Sequence, residues 1–245
     1  MENYIIRSKA REQLKEKTGL AIRTILLSTI LLNIINVTLN ISEEKFMIFS
    51  IFFIIGYLFI SAPIEAGRCR FLLNMVQNKE EAKITDLFSQ FSIFIKVFVM
   101  GLIKFFMESI CLLIPIGVII IKSSSIFIDV MNGFLDIGDI ATILILSIIS
   151  LIMVLIIQII YSQMIYIMVE NPDMTPIECM RSSRRMIKGY KLKYFKLQLS
   201  FIGWWLISGL TLGLLTIWVA PYSMLANANF YEEIKNIKYR NRDNY

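Results

Sequence analysis

Long apolar runs separated by short polar segments dominate the pattern of this chain. The runs cover residues 20–40, 46–67, 93–121, 140–169 and 195–231. An α-helix rises about 1.5 Å per residue, so about 20 apolar residues cross a hydrocarbon core roughly 30 Å thick. Each run reaches this length, and the pattern therefore predicts an all-α protein, a polytopic bundle of transmembrane helices.

The last run, residues 195–231, is too long for one ordinary span and just long enough for two short ones. The distribution of Lys and Arg decides between these alternatives. Outside the runs, the N-terminal segment has five of them, the second connection four, the fourth six and the C-terminal tail four, against one each in the first and third connections. Segments rich in Lys and Arg stay in the cytosol, so both termini are expected there, and the number of crossings must be even.

We therefore expect six spans, with the last run folded into a hairpin of residues 195–211 and 213–231. Its turn is expected at Leu212-Gly213, near the outer surface. A hairpin that re-enters from the cytosolic side would satisfy the same parity. Segments of about 17 residues are at the short end of the spanning range, so a locally thinned bilayer would suit the hairpin.

A basic amphipathic helix is predicted in the cytosol after the fourth run. Thr175 can cap its start, Pro176 suits the first helical position, Glu178 completes a capping box and Gly189 ends the helix. At about 100° per residue, one face is basic and the other apolar. The basic face supplies the candidate contacts to lipid headgroups: Arg181, Arg184, Arg185 and Lys188. Attraction to anionic inner-leaflet lipid is the simplest interpretation, and specific headgroup recognition is the sharper one.

Four further segments lie beside the spans. Residues 1–19 are expected to form a basic amphipathic helix, either on the membrane surface or as a solvated tail that sets topology. Residues 63–68 are expected to kink the second helix and then unwind it. A short amphipathic element is expected at residues 85–91. Residues 122–139 are expected to form a solvated acidic outer loop that includes a short apolar helix.

The third run contains two ionisable residues one helical turn apart, Lys104 and Glu108. Their spacing places them on one face of a helix, where they can neutralise each other inside the bilayer. One interpretation is a structural pair that faces the interior of the bundle. The other is a role in transport or proton relay, since ionisable residues within membranes often mark such pathways.

Composition supports a membrane protein and disfavours several other classes. Hydrophobic residues make up 56% of the chain and the mean hydropathy is +0.66, whereas soluble domains are about 45–50% apolar. One membrane domain, residues 1–245, is the expected organisation. The chain has a net charge of +6, and its basic residues lie beside the spans. This position favours anionic lipid over nucleic acid as the partner. The three cysteines suggest no disulfide framework, and no cofactor motif or metal-ligand spacing is visible.

Several sequence motifs resemble those of a bacterial integral membrane family known as domain of unknown function 975. They are SSRRMIKG, FKLQLSFIGWWL, LTLG, the Pro221-Tyr222 pair and NFYEE in the last third, preceded by KAREQLK, PIEAGRCRFLLN, DLFSQF and Ile-Pro-Ile-Gly at 114–117. The pattern departs from that family at about residues 118–160. The resemblance implies a six-helix bacterial plasma-membrane protein without an assigned activity. It extends, more distantly, to the membrane domain attached to some glycerophosphodiester phosphodiesterases, whose catalytic domain this chain lacks.

Two classes of function fit the sequence. The first is a non-enzymatic accessory protein that binds lipid, a membrane-protein partner or a second copy of itself. The second is a transporter or permease component for a small molecule or ion, based on Lys104 and Glu108. Histidine is absent and no nucleophile-base pair is visible, so an enzyme is disfavoured. The expected location is the bacterial cell membrane, crossed several times.

Overall fold

The computed structural model describes residues 2–37, 46–77, 82–131 and 137–242, and within these ranges every regular element is a helix. The α-helices are α1 (Asn3–Glu16), α2 (Thr18–Val37), α3 (Phe46–Val76), α4 (Phe94–Met131), α5 (Ile137–Ile160), α6 (Met164–Glu170), α7 (Pro176–Ile187), α8 (Lys191–Leu210) and α9 (Thr216–Arg242). Two short 3₁₀ helices, Ile84–Phe88 and Phe91–Ile93, precede α4. The prediction of an all-α chain is therefore confirmed for the described part.

The chain divides into two compact units, Met1–Met100 with Ser162–Tyr245, and Gly101–Tyr161. In the first unit, α1, α2, α3 and α6 to α9 share a core. Its fully buried side chains include Phe71 on α3, Leu197 and Phe201 on α8, and Leu225 on α9. The second unit consists of α4 from Gly101 onward and of α5. The segment between these two helices, residues 132–136, lies outside the described residues.

Helix α1 packs within the first unit. Ile6 and Ala10 are buried, and the amide of Asn3 donates a hydrogen bond to the carbonyl of Lys193 at 3.0 Å. The Arg7 guanidinium lies 5.7 Å from the ring centroid of Phe201, within the range of a cation–π contact. The alternative of a solvated N-terminal tail is therefore wrong, because α1 buries apolar side chains against α8 and α9.

Helix α3 continues through Pro63 and ends at Val76, so the prediction that it unwinds at residues 63–68 is wrong. Packing explains the difference. Ile64 and Ala66 are buried, and the backbone at Gly67 lies directly against the first 3₁₀ helix. A proline costs a helix one hydrogen bond, and burial of the turns that follow offsets that loss.

The second unit exposes most of its large apolar side chains. Leu113 and Ile121 on α4, and Leu144 and Ile145 on α5, are each more than half exposed. Within the described residues, two helices are long and apolar enough to cross a membrane, Ile84–Lys122 and Ile140–Glu170. Only 17% and 6% of their most apolar stretches are buried. Exposed apolar surface of this extent is unfavourable in water, so lipid is its natural solvent.

The boundaries of two predicted segments need correction. Helix α4 runs to Met131 and α5 begins at Ile137, so much of the expected acidic loop at 122–139 is helical. The remaining residues, 132–136, lie outside the described part. The expected span at 140–169 matches the apolar helical stretch Ile140–Glu170, within which a turn at 161–163 separates α5 from α6. There the Gln163 backbone N–H donates to Ser183 Oγ of α7 at 3.3 Å, a contact that sequence periodicity does not reveal.

The turn between α8 and α9 lies where the sequence predicts it. Leu212 and Gly213 both have positive φ, 51° and 83°, and the Gly213 N–H donates to the Ser208 carbonyl at 2.8 Å. The tip is strongly apolar and exposed, with Leu212 95% accessible. The predicted end of the last span at residue 231 is not an end of helix, since α9 continues to Arg242.

Substitution of Gly67 by Ala tests the close packing of α3. A Cβ at this position would lie 2.0 Å from the carbonyl oxygen of Leu87, so the 3₁₀ helix must move. We expect a loss of about 1–3 kcal/mol in unfolding free energy, as for other overpacked sites. Thermal unfolding in detergent micelles, followed by circular dichroism, measures it.

Gly203→Ala on α8 is the matched control, because a Cβ there meets nothing within 4 Å. It is expected to leave stability unchanged or to raise it by up to about 1 kcal/mol. Equal melting temperatures for the two variants would contradict the close approach of α3 and the 3₁₀ helix.

Candidate functional site

Helix α7 forms with the caps that its sequence predicts. Thr175 Oγ1 accepts a hydrogen bond from the Glu178 N–H at 3.3 Å, and the Glu178 carboxylate accepts one from the Thr175 N–H at 2.8 Å. Pro176 occupies the first position, and Gly189 follows the helix with φ of 89°. These local interactions set the start and end of α7 independently of the rest of the chain.

The two faces of α7 are in different environments. Cys179, Met180 and Ile187 are buried on the side that packs against the core. Burial raises the pKa of the Cys179 thiol to about 11, so it stays neutral and acts as an apolar side chain. The four predicted headgroup contacts are all exposed: Arg181, Arg184, Arg185 and Lys188. Their exposure leaves them available to a ligand or a membrane surface.

A hydrogen-bonded network centred on Glu170 fixes the end of α6. Its carboxylate accepts hydrogen bonds from Lys235 Nζ at 2.6 Å, Tyr231 OH at 2.7 Å and Gln77 Nε2 at 2.8 Å. Gln77 also donates to Glu232 at 3.1 Å. The network thus connects the ends of α3 and α6 to the middle of α9.

An open cleft of about 510 Å³ lies beside this network, between α6, α7 and α9. Its polar lining includes three cations, Arg185, Lys235 and Lys238, and one carboxylate, Glu170. Ser182 and Asn171 add neutral hydrogen-bonding groups, and Ile167, Met174 and Met186 add apolar surface. The combination of cations, neutral donors and an apolar wall suits an anionic ligand with an apolar part.

Contacts across the cleft hold Arg185 and Lys238 close together. Lys238 Nζ donates a hydrogen bond to the Arg185 carbonyl, and Arg185 Nη2 donates to Ser182 Oγ at 3.4 Å, a long hydrogen bond. Burial, together with the positive charges of Arg185 and Lys188, lowers the pKa of Lys238. Like charges concentrated in this way favour the binding of an anion.

Sequence reasoning missed the cleft, because it placed Lys235 and Lys238 in a cytosolic tail after the last span. They belong to α9, which returns alongside α7 and brings Lys238 to a residue 53 positions earlier in the chain. A signal was present: the tail at 232–242 has few breakers and continues the helical pattern of residues 216–231.

The other predicted pair lies in the second unit. Lys104 Nζ and Glu108 Oε1 are 3.8 Å apart, and their side chains are 29% and 22% exposed. Glu108 Oε1 is itself buried, and it has no hydrogen-bond partner in the described part of the chain. The structure therefore brings the pair together without assigning it a role.

Comparison with known proteins places the chain in a family. No curated protein and no solved structure matches it. The family described as "Protein of unknown function (DUF975)" matches residues 1–238. This match agrees with the resemblance drawn from the motifs, while the more distant similarity to a phosphodiesterase membrane domain stays a prediction. Because the match covers nearly the whole chain, the protein belongs to the DUF975 family.

Proposed function

We propose that the protein is a non-enzymatic accessory protein of the bacterial cell membrane, and that it binds anionic lipid through the exposed basic face of α7. The exposure of Arg181, Arg184, Arg185 and Lys188 opposite a buried apolar face carries the proposal. A membrane-protein partner, or a second copy of the chain, would bind to the same face of α7.

The physical basis is electrostatic. A Lys or Arg near an anionic leaflet contributes about 1 kcal/mol of attraction, which decays within a Debye length of about 8–10 Å. On α7 these cations are held on a helix already docked through Cys179 and Ile187. Little conformational entropy is then lost on binding, and more of the attraction contributes to affinity.

The proposal includes six spans with both termini in the cytosol, which places α7 at the inner leaflet. The charge distribution supports it, as do the two long apolar helices and the apolar tip of the α8–α9 turn. A fluorescent protein that matures only in the cytosol should be active when fused to either terminus. A periplasmic phosphatase reporter that is active at the C-terminus would overturn this topology.

Simultaneous replacement of Arg181, Arg184, Arg185 and Lys188 by Gln should abolish the preference for anionic lipid. The protein is reconstituted in mixed bilayers, and spin-labelled lipids report the association of phosphatidylglycerol relative to phosphatidylcholine. We expect a several-fold preference in the native protein that added salt weakens. The variant should still float with liposomes, which shows that insertion is intact.

Replacement of the three arginines of this face by Lys is the matched control, since it keeps the charge and removes the planar guanidinium. If this control keeps the preference for anionic lipid, the attraction depends on charge alone. If it loses that preference, the guanidinium groups recognise the headgroup specifically. An unchanged preference in the Gln variant would exclude α7 as the lipid-binding face.

A second candidate function, transport of a small molecule or ion, is supported by the Lys104–Glu108 pair. Charges within hydrocarbon are costly, and pairs of this kind are found along permeation pathways. The buried Glu108 Oε1 has no hydrogen-bond partner among the described residues, so it could bind a transient proton or cation.

This candidate predicts that Lys104→Leu combined with Glu108→Leu abolishes flux in proteoliposomes while insertion is preserved. Removal of both charges avoids leaving one unpaired in the bilayer, so the double variant is less disruptive than either single variant. Flux that persists in the double variant would rule out the pair as part of a pathway.

A further inference from the structure

The cleft between α6, α7 and α9 has more cations than carboxylates in its lining: Arg185, Lys235 and Lys238 against Glu170. Lys235 is paired with Glu170 at 2.6 Å and with Glu232 at 3.6 Å. Across residues 2–37, 46–77, 82–131 and 137–242, no carboxylate lies within ion-pair distance of Arg185 or Lys238. Within the described part of the chain, these two cations therefore have no anionic partner.

Those two cations are held in a fixed arrangement. Lys238 is tied to the Arg185 carbonyl, and the Arg185 guanidinium is tied to Ser182 Oγ at 3.4 Å. Both side chains line the cleft together with Ser182. The Arg185 guanidinium, the Lys238 ammonium and the Ser182 hydroxyl all belong to residues that line this cleft. Such groups match the oxygens of a phosphate group, which accept several charge-assisted hydrogen bonds at once.

We propose that this cleft is a specific binding site for a phosphate-bearing ligand, with the phosphate held by Arg185, Lys238 and Ser182. This site goes beyond the attachment of α7 to a charged surface. It shares only Arg185 with the basic face of α7. Its volume of about 510 Å³ lies within the range of about 300–1,000 Å³ found for small-molecule sites.

The Glu170 network determines where in the cleft the phosphate binds. Glu170 neutralises Lys235 and repels an anion, and Tyr231 and Gln77 hold its carboxylate in place. The phosphate is therefore directed to the end of the cleft formed by Arg185 and Lys238. Burial, and then the charges of Arg185 and Lys188, lowers the pKa of Lys238, so an anion bound beside it would be favoured.

The apolar wall indicates what else the ligand carries. Ile167, Met174 and Met186 line the same cleft, and flexible Met side chains adapt to apolar groups of varied shape. Glu170 is also the last residue of an apolar helix long enough to cross a membrane. A phospholipid headgroup with the start of its acyl chains fits this setting, and a free phosphate or soluble phosphate ester shares the same head chemistry.

Titration of the full-length protein in uncharged detergent micelles tests the site. The probes are dihexanoyl phosphatidic acid, dihexanoylglycerol, which lacks the phosphate, and inorganic phosphate, each followed by calorimetry. We expect phosphatidic acid to bind and dihexanoylglycerol not to bind. Phosphatidic acid binding about tenfold or more above inorganic phosphate assigns a lipid ligand, whereas equal affinity assigns a soluble phosphate, and either result supports the cleft.

Arg185→Gln combined with Lys238→Gln should weaken binding of phosphatidic acid by at least about tenfold, through loss of two charge-assisted hydrogen bonds. Ser182→Asp, which puts a carboxylate beside Arg185, should weaken it similarly without removing a cation. The matched control is Lys191→Gln with Lys196→Gln, which removes the same charge from exposed positions on α8, outside both the cleft and the basic face of α7. The control should keep its affinity for the probe within about twofold.

The proposal is overturned if the Arg185 and Lys238 variant binds as the native protein does, or if the Lys191 and Lys196 control loses as much affinity. Binding of dihexanoylglycerol equal to that of phosphatidic acid would also overturn it. Attachment of the basic face of α7 to the membrane is measured separately, as the preference for anionic lipid in bilayers. Lys238→Gln alone, which leaves all four cations of the α7 face in place, should weaken probe binding and keep the lipid preference, and this result separates the two sites.

Discussion

Glu170 ends helix α6 and collects hydrogen bonds from Gln77, Tyr231 and Lys235. A carboxylate that is largely removed from water is costly unless it is paired and hydrogen-bonded, and here all these donors come from other helices. The interaction therefore requires α3, α6 and α9 to meet at one place. Since α7 begins six residues later, at Pro176, the same network sets the position of the basic helix and of the cleft beside it.

The apolar surface of the chain explains why that polar cluster is so restricted. Helices α4 and α5 bury little of their side-chain area within the protein, and the tip of the α8–α9 turn is almost fully exposed. Lipid is the natural solvent for such surfaces, whereas charges are costly in it. One polar cluster of the first unit lies near helix ends, at Glu170, at Gln77 after α3 and along the extension of α9 beyond residue 231.

The two modes of anion binding that we propose differ in kind. The exposed face of α7 presents cations to a surface, and its attraction depends on charge density and salt. The proposed site in the cleft places Arg185 and Lys238 around a volume of about 510 Å³, so it would select for the shape of a phosphate group. Membership of the DUF975 family, whose function is unknown, does not indicate which mode the protein uses. An accessory protein could use the first to orient itself at the inner leaflet and the second to sense a particular lipid.

The sequence by itself determined the features that depend on neighbours within a few residues. The capping box at Thr175, the positive-φ turn at Leu212-Gly213 and the Lys104–Glu108 spacing are of this kind, because short-range hydrogen bonds and helical periodicity set them. The tertiary structure alone decided that α3 passes through Pro63 and that α6 separates from α5. It also decided that α9 brings Lys238 to Arg185. Those outcomes depend on contacts between distant segments, whose packing energies exceed local helix preferences.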